Sequence, residues 1–484
     1  MKNTKRSLLR GVGLAPLFTI WACLLGLLGS SKAQTGNVGL NTVWNSTSKV
    51  ASPAFVDATA YTSQGDICAN INYILTNAAA AGVIIDARGV LPTSGTSQPC
   101  SINPWTSADL FSGALPNTIL LPSGTITICA TWQMPVFTKL IGEGPGQGGS
   151  IGTTLQVGSS AQCGGNSFAG SAMIQMGGTT ICTSSNCFSV SISDLALDGQ
   201  SNSGIDGIDN LVAQELSSVT HVAMVNIGKI GLSIAANAGN SGPYSDLSIQ
   251  AIDNATASCV QINGSPRGVH GISCTCVQSA VACSNPNNAG IYVGSTTAVH
   301  LVGTFATSIE DVYVNGFKDG IYVGVSGPGS DTEAPAFDDL LFNISGGSSV
   351  TNLIHLSAGQ SSSSSCPPQS SPGNNVCDIT IMGVTSAANN TILDEISNTT
   401  LPYSTDPTVG MYILGEQVTD NGSTVIGNSR FTTSPSIPSW IVGTIAPSTP
   451  CAIGDLYSIT SGTSGYTLWG CIGPNTGVSW AAIK

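Results

Sequence analysis

Six short segments of the chain share one order of polar and apolar positions: a polar residue, an apolar residue, any residue, a second apolar residue. They are Asp194-Leu195-Ala196-Leu197, His221-Val222-Ala223-Met224, Asp246-Leu247-Ser248-Ile249, Asp311-Val312-Tyr313-Val314, Asp339-Leu340-Leu341-Phe342 and Asp378-Ile379-Thr380-Ile381. Alternation of this kind predicts strands. The steps between first residues are 27, 25, 65, 28 and 39, and His270-Gly271-Ile272-Ser273 fills part of the long step as a weaker copy. A period in the twenties predicts units that stack, because one unit is too short to bury a core alone. Strands at this spacing with no helix between them predict an all-β, right-handed parallel β-helix over about residues 83–430. Its inward positions should be Leu195, Leu197, Val222, Met224, Leu247, Ile249, Val312, Val314, Leu340, Phe342, Ile379 and Ile381.

A second strand recurs as Gly231-Leu232-Ser233-Ile234, Gly290-Ile291-Tyr292-Val293 and Gly320-Ile321-Tyr322-Val323, so the body reads as strand, turn, strand. Asn226, Lys229 and Gly231 correspond to Asn315, Lys318 and Gly320. Ahead of the repeats, Ile67, Ile71, Ile74 and Leu75 mark an amphipathic helix over 66–81. Asp66 is its N-cap and Gly82 its stop. One helix at the start of a stacked-strand body predicts a cap over its apolar end. Near the other end, Gly359 to Asn375 reads as a surface insertion and 431–450 as a Pro/Ser-rich linker. Residues 451–484 form a small C-terminal β module.

The strand Val83 to Gly89 (Val-Ile-Ile-Asp-Ala-Arg-Gly) follows the helix. Leu121-Pro122-Ser123-Gly124-Thr125-Ile126 and Leu140-Ile141-Gly142-Glu143-Gly144 come next, leading to Thr153-Thr154-Leu155. This opening resembles that of the pectate-lyase superfamily, in its subgroup with an epimerase- or rhamnogalacturonase-like N-terminal region. With the repeats, the resemblance covers roughly residues 60–430. It implies the β-helix fold and a polysaccharide partner. It implies no single activity, because the superfamily holds lyases, hydrolases, epimerases and non-catalytic spikes.

Residues 1–33 read as an export signal: Lys2, Lys5, Arg6 and Arg10, an apolar run from Gly11 to Leu28, and Ser31-Lys32-Ala33 for cleavage. A lipoprotein signal at Cys23 is the competing reading, but Trp21 and the continuing apolar run fit it poorly. Cleavage near Ala33 predicts a secreted or periplasmic chain, with 34–430 as the β-helix domain. No later segment is long and apolar enough for membrane insertion. Cleavage removes five of the 13 basic residues and none of the 26 acidic ones, which leaves 8 basic residues and a net charge of −18. That balance excludes nucleic acid, which needs a basic face. A polyanionic substrate requires the few cations gathered in one place, or a metal bridging carboxylates. The 14 cysteines left predict disulfides, with Cys182–Cys187, Cys366–Cys377 and Cys451–Cys471 as local pairs.

Recurring aspartates at coil corners most simply bond turn amides; His221 breaks that column. The stretch holding Asp198, Asp206, Asp209 and Glu215 is the better source of catalytic carboxylates, since glycosidases need two about 5–10 Å apart. The competing reading is turn-forming Asp-Gly and Asp-Asn pairs. Asp331, Glu333 and Asp338, beside Asp339, form a second acid group, whose oxygens would suit Ca2+. Gly268-Val269-His270-Gly271 loosely resembles the Gly-His-Gly segment of polygalacturonases, but their paired-Asp and Arg-Ile-Lys motifs have no counterpart. Calcium-dependent pectate lyases use an Arg or Lys base, a role that resemblance would give Arg267. The expected site is therefore Asp206, Asp209, Glu215, His221, Arg267 and His270 along one groove. It would act by β-elimination or glycosidic hydrolysis on an acidic or plant-type glycan. The alternative is a β-helix that binds glycan without cutting it.

Overall fold

A computed structural model describes residues 54–77, 82–90 and, with gaps, 100–277, followed by separate stretches between 289 and 482. They form a right-handed parallel β-helix. Each coil contributes one strand to a 15-stranded sheet, sheet 1, and one to an 11-stranded sheet, sheet 2. Successive sheet 1 strands are Ser191–Asp198, Ser218–Ile227, Tyr244–Ile252, Val269–Val277, Ser308–Asn315 and Leu340–Gly346. In sheet 2 they alternate with Asp206–Asn210, Ile230–Ile234, Ser258–Ile262, Ala289–Val293, Asp319–Val323 and Asn352–Leu356. All of these neighbours pair in parallel. The stack ends at 423–426, where Ser423–Ile426 turns back antiparallel on Gln417–Asp420.

The recurring aspartates have a backbone explanation. Asp194, His221, Asp246, Gly271, Asp311, Asn343 and Gly383 occupy one corner in successive coils, all with φ between 52° and 69°. Only glycine, and to a lesser degree Asn, Asp and His, adopts this left-handed conformation without large strain. The corner breaks the strand alternation, so the residues two before it and one and three after it all face the core. Ile192, Leu195 and Leu197 in one coil, and Ile309, Val312 and Val314 in another, are fully buried in this way.

That rule corrects two expected inward positions. In the coil of Asp339 the corner is Asn343, four residues later than the sequence pattern suggests, so Leu341 and Ile344 are buried. Leu340 is only half-buried, and Phe342 faces solvent with 40% of its surface exposed. Ile381 is buried as expected, ahead of its corner Gly383, and Ile379 lies outside the described residues. The weak copy at His270 is a true coil whose corner is Gly271.

In sheet 2 the recurring glycines reflect close stacking. A Cβ on Gly231 would lie 2.6 Å from the Cys259 carbonyl oxygen, and one on Gly320 would lie 2.5 Å from that of Leu353. Inside the core, Tyr244 Oη donates to Ser241 Oγ at 2.8 Å and accepts from Asn210 Nδ2, tying sheet 1 to sheet 2. Full burial pushes this phenol up to about 12.

The cap is an α-helix at Ile67–Asn77, burying Ile67, Cys68, Ile71, Ile74 and Leu75. Asp66 caps it, Oδ1 accepting from Ala69 N at 2.9 Å. Ahead of it, Ala54–Asp57 adds a strand to sheet 1 that the sequence pattern does not announce. Disulfides join Cys68–Cys100, Cys129–Cys163, Cys182–Cys187 and Cys259–Cys274, and Cys276 is also bonded. Such usage fits an oxidising compartment. Cys366 and Cys451 lie outside the described residues. The small terminal sheet contains Leu456–Ile459, Leu468–Cys471 and Trp480–Ala482, and takes in Trp440–Gly443 from the stretch read as linker. No described helix is long and apolar enough to cross a membrane.

Candidate functional site

The strand Asp206-Gly207-Ile208-Asp209-Asn210 carries the most chemically promising group. Ile208 and Asn210 point into the core, so Asp209 faces outward from sheet 2. Asp206 opens the strand, with its side chain 5% exposed. Both of its oxygens are held: Oδ2 accepts from Lys229 Nζ at 2.7 Å and Oδ1 from Ile230 N at 2.9 Å. Lys229 reaches it from the turn of the next coil and stays about one-third exposed.

These surroundings separate the two carboxyls in kind. Burial pushes Asp206 upward, opposed by the Lys229 ammonium and the Ile230 amide. Asp209 is pushed up to about 6, first by burial and then by the neighbouring Asp206 charge, against a hydrogen bond from Ser233 and the field of Lys229. A carboxyl that still holds its proton near pH 6, beside one committed to an ion pair, is the pattern of a general acid with a charged companion.

Along sheet 2 the outward position of Asp209 continues as one column. Its register runs Gln133, Gln175, Asp209, Ser233, Gln261, Tyr292, Tyr322 and His355. Gln133 and Gln175 are hydrogen-bonded at 3.2 Å. At the far end Tyr292 and Tyr322 pack with ring centroids 5.3 Å apart, and His355 meets Tyr322 edge-on at 4.8 Å. These three rings are buried, whereas Gln175, Asp209 and Ser233 are only partly so.

The other expected residues are distributed over different parts of the coil. Glu215 and Arg267 occupy turns leading from sheet 2 to sheet 1, two coils apart, at the opposite strand end from Asp206. Glu215 Oε2 is buried with no hydrogen-bond partner among the described residues, and the Arg267 residue is exposed. His221 is a sheet 1 corner; its Nδ1 lies 3.0 Å from Asp194 Oδ1, with both side chains well exposed. His270 is on the outer face of sheet 1, opposite Ser245 and Glu310. The structure thus brings Asp206 together with Asp209, and sets His221 and His270 on the other sheet. Asp331, Glu333 and Asp338 lie outside the described residues.

Lys229 and Ser233 join the site without having been singled out for it. The signal for Lys229 was present: a cation 23 residues after Asp206, about one coil, in a body with few cations. Asp319 and His355 were also missed. His355 Nδ1 lies 3.0 Å from Asp319 Oδ2, and Asn352 Nδ2 donates to Asp319 Oδ1 at 2.6 Å.

No family model and no curated protein matches this chain. Solved structures similar to it include a mutant tailspike protein of E. coli bacteriophage HK620 in complex with a pentasaccharide. That match has TM-score 0.46 and 13% identity over 70% of this chain. Another is a mutant of the same tailspike in complex with a hexasaccharide, with TM-score 0.45, 14% identity and 70% of this chain covered. The chain spans 57% of the length of these tailspike chains. The likeness concerns the parallel β-helix fold.

Proposed function

We propose that this protein is a secreted, polysaccharide-acting β-helix enzyme whose site centres on Asp209, on the outer face of sheet 2, with the buried Asp206 at the start of the same strand. One observation carries the reading: Asp209, pushed up to about 6 by burial and by its neighbour, stands beside an Asp206 bonded by Lys229 Nζ at 2.7 Å and Ile230 N at 2.9 Å. Breaking a glycosidic bond needs a proton donor at the leaving oxygen and negative charge near the developing oxocarbenium ion. Asp209 fills the first role and Asp206 the second. Glu215 and Arg267, in turns flanking sheet 2, belong to the same proposal as contacts for sugar beyond the cleaved bond. The opening segment's resemblance to the pectate-lyase superfamily supports a polysaccharide as the partner.

A binding-only reading has one observation in its favour. Both Asp206 oxygens are already occupied, by Lys229 Nζ and Ile230 N, so a second carboxylate acting directly on the sugar is not at hand in this pair. The two readings part on one experiment. The purified chain is incubated with a polysaccharide panel, scoring both reducing ends and unsaturated products, alongside Asp209→Asn. Turnover that Asp209→Asn abolishes supports the enzyme. Retention of glycan by both proteins with no product supports the binder.

A further inference from the structure

We infer that the glycan taken at the Asp206–Asp209 site is uncharged and that its bond is broken by hydrolysis. This inference rests on the reading of that face as a polysaccharide site. β-Elimination requires a uronate, loss of its C5 proton, and positive charge to stabilise the anion that spreads onto the sugar carboxylate. The local charge opposes that chemistry. Residues 169–356 carry three cations, Lys229, Arg267 and Lys318, against fourteen carboxylates. A field of that sign repels a polyanion from the coils that would have to bind it.

Nor are the three cations gathered. Lys229 is ion-paired with Asp206 at 2.7 Å. Arg267 belongs to a turn at the other end of the strands. Lys318 precedes Asp319, which is four rungs along the sheet from Asp206, or roughly 19 Å at the usual strand spacing. Among the described residues, the only grouping of three side chains with metal-ligand geometry is Asp66, Cys68 and Cys100. There the two sulfurs are bonded to each other. The outward neighbours of Asp209 are Gln175 and Ser233, with Gln261 one rung further. These are neutral groups that both donate and accept, suited to sugar hydroxyls.

The step balances with groups on this face. The protonated Asp209 carboxyl gives its proton to the bridging oxygen as the anomeric C–O bond breaks, both electrons leaving on that oxygen. Water adds to the anomeric carbon and returns a proton to the Asp209 carboxylate. The Asp206 charge stabilises the cationic sugar between these events.

The test sets galactomannan, xyloglucan and dextran against polygalacturonate and alginate, with and without added calcium, using the full chain. Retention of each polymer is measured separately by affinity electrophoresis with Asp209→Asn. New reducing ends from an uncharged polymer, lost in Asp209→Asn, with no unsaturated product from either uronate, support the inference. Unsaturated ends from polygalacturonate or alginate overturn it and leave the polysaccharide-acting reading intact. Retention of an uncharged polymer without cleavage overturns hydrolysis and supports the choice of uncharged glycan. No retention and no cleavage of any polymer overturns the underlying reading as well.

Discussion

Two strands of sheet 2 begin alike and end up with different chemistry. Asp206-Gly207-Ile208 and Asp319-Gly320-Ile321 place their aspartates at the same register position, four rungs apart. What distinguishes them comes from the following coil. Asp206 receives a lysine from the turn, and the outward residue of its own strand is Asp209. Asp319 receives Asn352 and His355, and its outward residue is Tyr322, packed between Tyr292 and His355. The first arrangement keeps a titrating carboxyl near solvent; the second seals a carboxylate under rings. In a stacked fold a residue's role is set by its neighbour one repeat away.

The largest effect that would break this contrast concerns Asp209. Asp209→Asn should lower turnover roughly 10²–10⁴-fold, the usual contribution of a positioned acid, while melting is unchanged or improved. Steady-state kinetics beside calorimetry checks both halves. Asp319→Ala should do the opposite. It removes the oxygens that Asn352 Nδ2 and His355 Nδ1 meet and should cost about 2–4 kcal/mol of stability, with activity per folded molecule retained. A drop in activity at constant stability would make the two aspartates functional equals.

A third expectation is pH dependence. Because Asp209 is pushed up to about 6 in the folded chain, against about 3.9 for an ordinary Asp, the unfolded chain loses this proton first. Stability should therefore fall as pH rises from about 4 to about 6, by at most about 3 kcal/mol at ~1.4 kcal/mol per pKa unit. Denaturant titrations across that window should show the slope, and Asp209→Asn should flatten it. Tyr244→Phe removes the hydroxyl shared by Asn210 and Ser241, and should cost about 1–2 kcal/mol with no change in turnover. The smallest effect belongs to His221→Asn. The exposed pair with Asp194 contributes under ~1 kcal/mol, and asparagine tolerates the corner, so melting should barely move.

The repeat and the cap were legible because both depend on local rules. Asp66 marks the start of the helix, and period-two alternation gives the strands. The corners were visible as aspartates, yet their meaning was not, since side-chain pattern carries no φ angle. Asp339-Leu340-Leu341-Phe342 mimics the motif four residues early, and only the left-handed Asn343 reveals the register. The site was half legible. Asp206 and Asp209 stand out as acids near glycines, but the ion pair with Lys229 forms across a coil boundary. The buried Asp319–His355 pair was invisible for the same reason, its members being 36 residues apart.

The run of left-handed corners also sets how this molecule can be lengthened. From Asp246 to Gly271 the chain takes 25 residues, and from Gly271 to Asp311 it takes 40, yet both steps advance the stack by one rung. The strands on either side of Gly271 and Asp311 keep their register although the second step is 15 residues longer. Such a body accepts insertions as a bookshelf accepts deeper books: spacing along the axis is constant while depth varies. Connections can therefore vary in length around strands whose register is fixed, and new surface properties can arise without refolding the frame.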